Sequence, residues 1–313
     1  MDADEFGSRG ATGARRQRYR PAVDRGHLGI AMNVPCATTA EDAVAAPPEA
    51  ATARAFAEPR ARPVLPAVRF DNLTLGYDRH PAVHHLHCEI PRGALVAIVG
   101  PNGAGKSTLM KALVGELPPL QGRFEFGLDA NEIAYLPQLS ELDRGFPISV
   151  FDMVATGLWR QLGGFRGLSA QARERVMHVM EQVGLGGLEH RPIGALSGGQ
   201  LQRARFARLM LQDCQMLLLD EPFNAIDART TDDLLALVLD WHHEGRTILA
   251  VLHDLERVRR HFPTCLLLAR ETVGLGATET VLTPERLARA RELAETFDDN
   301  APVCHRPPLG EAA

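Results

Sequence analysis

Gly100-Pro101-Asn102-Gly103-Ala104-Gly105-Lys106-Ser107, with Thr108 behind it, is the stretch of this chain best suited to chemistry on a polyphosphate. Its spacing, G-x-x-x-x-G-K-[ST], is that of a phosphate-binding loop. Glycines let the backbone approach a polyanion closely, and N–H groups leading into a helix N-terminus supply positive potential. Lys106 adds a compact charge for the β- and γ-phosphates, and the Ser107 hydroxyl suits Mg²⁺. Lysine is a selective choice here: among 34 Lys and Arg residues, only Lys106 and Lys111 are lysine. A second pair of groups, Asp220 and Glu221, closes the apolar run Met216-Leu217-Leu218-Leu219. Asp220 suits Mg²⁺ bound through water. Glu221, pointing differently, suits the general base that polarises an attacking water.

These groups need elements to hold them. Residues 94–99 form a short, continuous apolar run, which predicts a buried parallel strand. Glycines follow at once and residues 107–114 turn helical, so the strand, loop and helix that a phosphate-binding loop requires are in order. Upstream, Val68, Phe70, Leu73 and Leu75 lead into Gly76-Tyr77-Asp78-Arg79-His80-Pro81, which predicts a hairpin, with a further strand over 86–90. Between 146 and 196 the apolar spacing is helical, with Val150, Val154 and Leu158 on one face and Val176, Val179, Met180 and Val183 on another. That predicts a helical insertion. Beyond it, a helix over 200–212, a strand over 216–219, a helix over 231–243 and strands over 247–252 and 265–269 argue α/β with a largely parallel sheet.

Leu196-Ser197-Gly198-Gly199-Gln200 stands just ahead of the predicted helix over 200–212. Read alone, Ser197 is an N-cap with loop glycines behind it. The pentapeptide resembles, without departure, the signature sequence of the ABC ATPases, and the family's other motifs follow in order over about residues 66–285. The resemblance implies a P-loop NTPase (RecA-like) core with an antiparallel β-subdomain and an inserted α-helical subdomain at about 139–200, binding ATP with Mg²⁺ and hydrolysing it. It implies that Ser197, Gly198, Gly199 and Gln200 cap the γ-phosphate held by a second copy of the chain, in a head-to-tail ATP sandwich. A serine hydroxyl, two glycines and a helix N-terminus suit that task. It further implies that Tyr77 stacks on adenine, that Gln138 contacts Mg²⁺ and the attacking water, and that His253 contacts the γ-phosphate and orients that water. In the inter-subunit loop, Asn224-Ala225-Ile226-Asp227 keeps Asp227 but departs mildly from the small hydroxyl residue and Leu seen there more often.

With one phosphate-binding loop and one signature, a working sandwich needs a second copy, and a homodimer is expected. The stretch from Asp143 to Val154 is similar to that of zinc and manganese importers. The resemblance therefore implies the ATPase subunit of a metal importer, partnered by a transmembrane permease and indirectly by an extracytoplasmic substrate-binding protein. Ferric-chelate and haem importers are the alternative reading. A soluble ABC ATPase acting on DNA or ribosomes is a weaker one, because its usual coiled-coil or zinc insertion, or second cassette, is missing.

Composition bounds the rest. A formal charge of -5 offers no general field for a phosphate polymer, so no nucleic-acid partner is expected. No run approaches the roughly 18 apolar residues that span a bilayer, which predicts a peripheral protein on the cytoplasmic face. Cys36, Cys88, Cys214, Cys265 and Cys304 are scattered without a C-x-x-C pair, as for reduced thiols. Residues 1–65, rich in Ala, Arg and Pro, predict a disordered extension, or a stretch ahead of a later start such as Met32. Asp24, Arg25 and His27 interrupt any export signal after the Arg-rich start. Residues 286–313 read as a C-terminal tail. His80, His84, His85, His87 and Cys88 crowd one hairpin and suggest a metal sensor, although strand alternation sets His84 apart from His85 and His87. Cys304 and His305 are a second such pair.

Overall fold

A computed structural model describes residues 65–77, 80–141, 143–163 and 167–295. The expected extension over 1–65 therefore lies outside it but for Leu65, as do Cys304, His305 and the chain beyond 295. The chain begins with β1 (Val68–Tyr77), β2 (His80–Ile90), β3 (Leu95–Val99), α1 (Lys106–Leu113), β4 (Gln121–Phe126) and β5 (Ile133–Leu136). A helical stretch follows: α2 (Val150–Ala155), α3 (Trp159–Leu162), α4 (Ala170–Gln182) and α5 (Gly198–Gln212). The chain then alternates through β6 (Met216–Asp220), α6 (Ala228–His243), β7 (Thr247–Val251), α7 (Leu255–His261), β8 (Thr264–Ala269), β9 (Glu271–Ala277), α8 (Thr278–Val281) and α9 (Pro284–Glu295).

Six strands form one sheet in the order β5-β6-β7-β3-β8-β9, parallel except for the β8–β9 pair. Three more form an antiparallel sheet, β2-β1-β4. This is the α/β architecture the sequence predicts. The central strands are buried at every position and largely apolar because both faces are covered. One face, with Ala97, Val99, Leu217, Leu219 and Ala250, packs on α5 and α6. The other, with Val96, Ile98, Leu218 and Val251, packs on α1 and the antiparallel sheet. The helical insertion has a core of its own, in which Val150, Val154 and Leu158 meet Val176, Val179, Met180 and Val183 as their spacing predicts.

Phe206 shows what a single contact in this core contributes. It is fully buried, its ring stacked 5.8 Å from Trp241 and 6.5 Å from Phe223. Phe206→Ala should lower stability by about 3–5 kcal/mol, through lost transfer energy and the cavity left behind. Urea titration followed by circular dichroism measures it.

Three readings need correction. The hairpin is present, but its second strand starts at His80 rather than at residue 86. Val83 and Leu86 both point inward across a bulge at which His85 takes a φ of 48°, and a bulge destroys the two-residue period. β4, β5 and β9 escape sequence reading because β4 is largely exposed, β5 has only 4 residues and β9 carries two glycines. The tail boundary at 285 falls inside α9, which starts on Pro284 and packs Leu287, Ala290 and Leu293 against the core.

Candidate functional site

β3, β5, β6 and β7 run parallel, so their carboxyl ends meet at one edge of the sheet. That edge carries the phosphate-binding loop after β3, Gln138 just after β5, Asp220 and Glu221 at the end of β6, and His253 just after β7. Such an edge is where open α/β sheets hold ligands.

The loop is built for an anion. Gly105 caps α1 with a φ of 89°, and a Cβ there would lie 2.4 Å from Val83 Cγ2 and 2.5 Å from the Ala82 carbonyl oxygen. Only glycine fits, so the loop packs tightly under β2. No side chain caps α1 and no acidic residue stands in its first turn, so its first N–H groups face the loop uncountered. Lys106 is 6% exposed, and its ammonium donates to the carbonyls of Gly100 (2.9 Å) and Pro101 (2.8 Å). Burial holds its pKa below the ordinary lysine value, against the opposing pull of the Glu221 and Asp220 carboxylates. Gln138 Nε2 donates to Ser107 Oγ at 3.2 Å, joining the glutamine after β5 to the hydroxyl that opens α1.

Asp220 is 1% exposed at the end of β6. Glu221, one residue on, takes a φ of 49°, a left-handed conformation that costs a non-glycine residue about 1–2 kcal/mol. Strain of this kind collects at functional sites. Its carboxylate is held at both oxygens: Oε1 lies 2.6 Å from His253 Nε2, and Oε2 accepts from Asn224 Nδ2 at 2.9 Å. A carboxylate so held presents one fixed face to a water beside it. Phe223, Asn224, Asp254 and Arg257 join Glu221 and His253 around a shallow cavity.

The Asn224 bond is the residue role that sequence reading missed. The signal was a turn: Pro222 follows Glu221, and Asn224 N–H donates to the Glu221 carbonyl at 3.2 Å, which brings side chains 221 and 224 to one side. Asn224→Ala should lower kcat for ATP about tenfold, the share expected of one hydrogen bond to a charged group. The dissociation constant for ATP should be unchanged, as steady-state hydrolysis and fluorescent-nucleotide titration would show.

Residues 196–200 lead into α5. Ser197 Oγ accepts from Gln200 N at 3.2 Å and Gln200 Oε1 from Ser197 N at 3.1 Å, a reciprocal capping box. Ser197 is thus an N-cap, and a hydroxyl that accepts from Gln200 still has its own proton to donate. A Cβ on Gly199 would lie 3.2 Å from Asp227 Oδ2, so this glycine turn packs on the loop that ends at Asp227. Asp227 itself caps α6: the Thr230 N–H bond, foremost, holds its carboxyl below the usual carboxylate range. Tyr77 is half exposed at the end of β1, opposite His80. None of the signature residues lines the cavities that Glu221, His253, Gly100 and Pro101 border.

The histidines of β2 do not converge. His85 Nδ1 lies 2.7 Å from Asn72 Oδ1, His87 Nδ1 lies 3.6 Å from Asp71 Oδ1, and burial lowers the pKa of His84. Among the described residues no group of three or more His, Cys, Asp or Glu could hold a metal ion.

Known proteins resemble this chain over most of its described length. The ABC transporter family profile matches residues 83–224. The chain is 39% identical over 229 residues to the zinc transport system ATP-binding protein TroB of Treponema pallidum, covering 72% of this chain and 86% of that one. It is 38% identical over 228 residues to the manganese transport system ATP-binding protein MntA of a Synechocystis strain, covering 70% and 88%. Among solved structures, one described as an inward-facing metal-chelate type ABC transporter is 29% identical, with a TM-score of 0.65, covering 72% of this chain and 89% of that one.

Proposed function

The chain belongs to the ATP-binding proteins of the ABC transporter family, and from that premise we propose that it drives import of a divalent metal, zinc or manganese, through a membrane permease. Nucleotide binding and ATP hydrolysis come with the family. The observation that carries the site assignment is the clamp on Glu221, held by His253 and Asn224 beside the phosphate-binding loop.

Residues 100–108 hold the triphosphate, Lys106 on its β- and γ-oxygens and Tyr77 against the adenine. Glu221 takes a proton from water as the water oxygen attacks the γ-phosphorus. The bond from that phosphorus to the β,γ-bridging oxygen breaks, and ADP and phosphate leave. His253 and Gln138 orient the water. Ser107, Gln138 and Asp220 offer a hydroxyl, a carboxamide oxygen and a carboxylate, a set of hard oxygen donors that fits Mg²⁺. Bound there, Mg²⁺ would neutralise charge developing between the β- and γ-phosphates. Ser197, Gly198, Gly199 and Gln200 of a second copy close over the γ-phosphate, with Asp227 at the joint between protomers.

Among the described residues no helix is long and apolar enough to cross a membrane. In this reading the permease is a separate chain and this one sits on its cytoplasmic face. Phe146 and Trp159, 58% and 63% exposed, stand on the helical insertion as apolar groups that a permease would cover. A substrate-binding protein outside the membrane supplies the cargo. Reconstitution with its cognate permease, in vesicles given ⁶⁵Zn²⁺ or ⁵⁴Mn²⁺, tests the proposal: ATP-dependent uptake of one of these ions is expected. Uptake of ferric chelate or haem instead would favour the second reading, which the likeness to a metal-chelate type transporter keeps in view.

A further inference from the structure

The buried face of α5 contains an arginine and a glutamine that none of the roles above uses. Gln202 is 1% exposed and Arg205 4%. Gln202 Nε2 donates to the Pro222 carbonyl at 2.6 Å, and its Oε1 accepts from Arg205 Nη1 at 2.8 Å. Arg205 Nη2 donates in turn to the carbonyl of Pro137. Pro137 immediately precedes Gln138, and Pro222 immediately follows Glu221. The strap therefore runs from the backbone beside one water-orienting group, through α5, to the backbone beside the base.

We propose that Arg205, acting through Gln202, is a positioning residue that fixes the distance between Gln138 and Glu221 across the γ-phosphate. Burying a guanidinium costs several kcal/mol unless every donor is well placed. Packing alone would be met by an apolar side chain of similar volume, whereas this arginine aims two donors of its planar fork at two separate acceptors. Pro222 opens the turn that sets Glu221 at a φ of 49°, so holding its carbonyl holds the strained turn. An error of about 1 Å in placing such groups costs of the order of 10²-fold in rate. The same helix begins at Ser197, so the signature and the strap move as one piece.

The inference rests on the proposed roles of Gln138 and Glu221, and its test separates the two. In the purified full-length chain, Arg205→Met should lower kcat tenfold or more at temperatures well below melting. KM and the dissociation constant for fluorescent ATP should stay within twofold. Arg205→Lys, which keeps a donor but not the fork, should fall between. Gln202→Glu keeps an acceptor for Arg205 but sets an oxygen against the Pro222 carbonyl in place of the Nε2 donor, and should also lower kcat. A merely structural role would shift the melting temperature while leaving kcat per folded molecule unchanged. Values within twofold of wild type in Arg205→Met and Gln202→Glu overturn the proposal. Should Arg205→Met fail to fold, Gln202→Glu and Arg205→Lys decide by the same criterion. Normal turnover by Glu221→Gln would instead sink the site assignment and leave nothing for the strap to position.

Discussion

Glu221→Gln should hydrolyse ATP about 10²–10⁴-fold more slowly than the wild-type chain, the usual contribution of a positioned general base, while binding ATP with unchanged affinity. The substitution is close to isosteric, and its oxygen can still accept from Asn224 Nδ2. What it removes is the lone pair that takes a proton from water. The φ of 49° is as available to glutamine as to glutamate, so the turn should keep its shape. If ATP is sealed between two copies, a chain that binds but cannot hydrolyse should accumulate as a dimer. Size-exclusion chromatography with multi-angle light scattering should show monomer without nucleotide and dimer with ATP, and single-turnover assays should show the slow step to be chemistry. Hydrolysis at the wild-type rate would remove Glu221 from the reaction. A slow variant that stays monomeric in ATP would keep the base and remove the sandwich.

The parts of this site that could be read from sequence are those fixed by backbone chemistry over a few residues. Gly105 must be glycine because of a φ of 89° and the β2 backbone above it, and a requirement that strict leaves a recognisable spacing. The apolar runs of β3, β6 and β7 were legible for a similar reason, since strands buried on both faces strongly favour apolar residues. Elements stabilised chiefly by their neighbours were not legible. β9 is a strand because β8 pairs with it, and α9 is a helix whose apolar side is made by the core it covers. Side-chain bonds across long sequence separations were hidden altogether. Gln138 and Ser107 are 31 residues apart and His253 and Glu221 are 32, so only the folded sheet brings each pair together. Asn224 lies within three residues of its partner, yet it was read as part of an inter-subunit loop, because the turn that re-aims it depends on a strained Glu221.

Lys106→Ala should weaken ATP binding at least 10²-fold, since two charge-assisted hydrogen bonds to phosphate oxygens, at about 1.5–3 kcal/mol each, are lost together. The fold should survive. The lysine bonds the loop carbonyls of Gly100 and Pro101, and removing a buried ammonium relieves a desolvation cost. Its charge also has a pH signature. Burial lowers the pKa of Lys106, whereas a bound triphosphate favours the protonated form and must raise it. ATP affinity should therefore fall as the pH rises through the lowered pKa of the unbound chain, and above that point binding should take up a proton. An ordinary exposed lysine would show the same loss only at higher pH. Calorimetric titration of ATP at several alkaline pH values, in buffers of different ionisation enthalpy, measures both quantities. In Lys106→Ala the residual binding should lose this alkaline limb and the proton uptake with it. A variant that kept both would show that some other group carries the charge facing the phosphates.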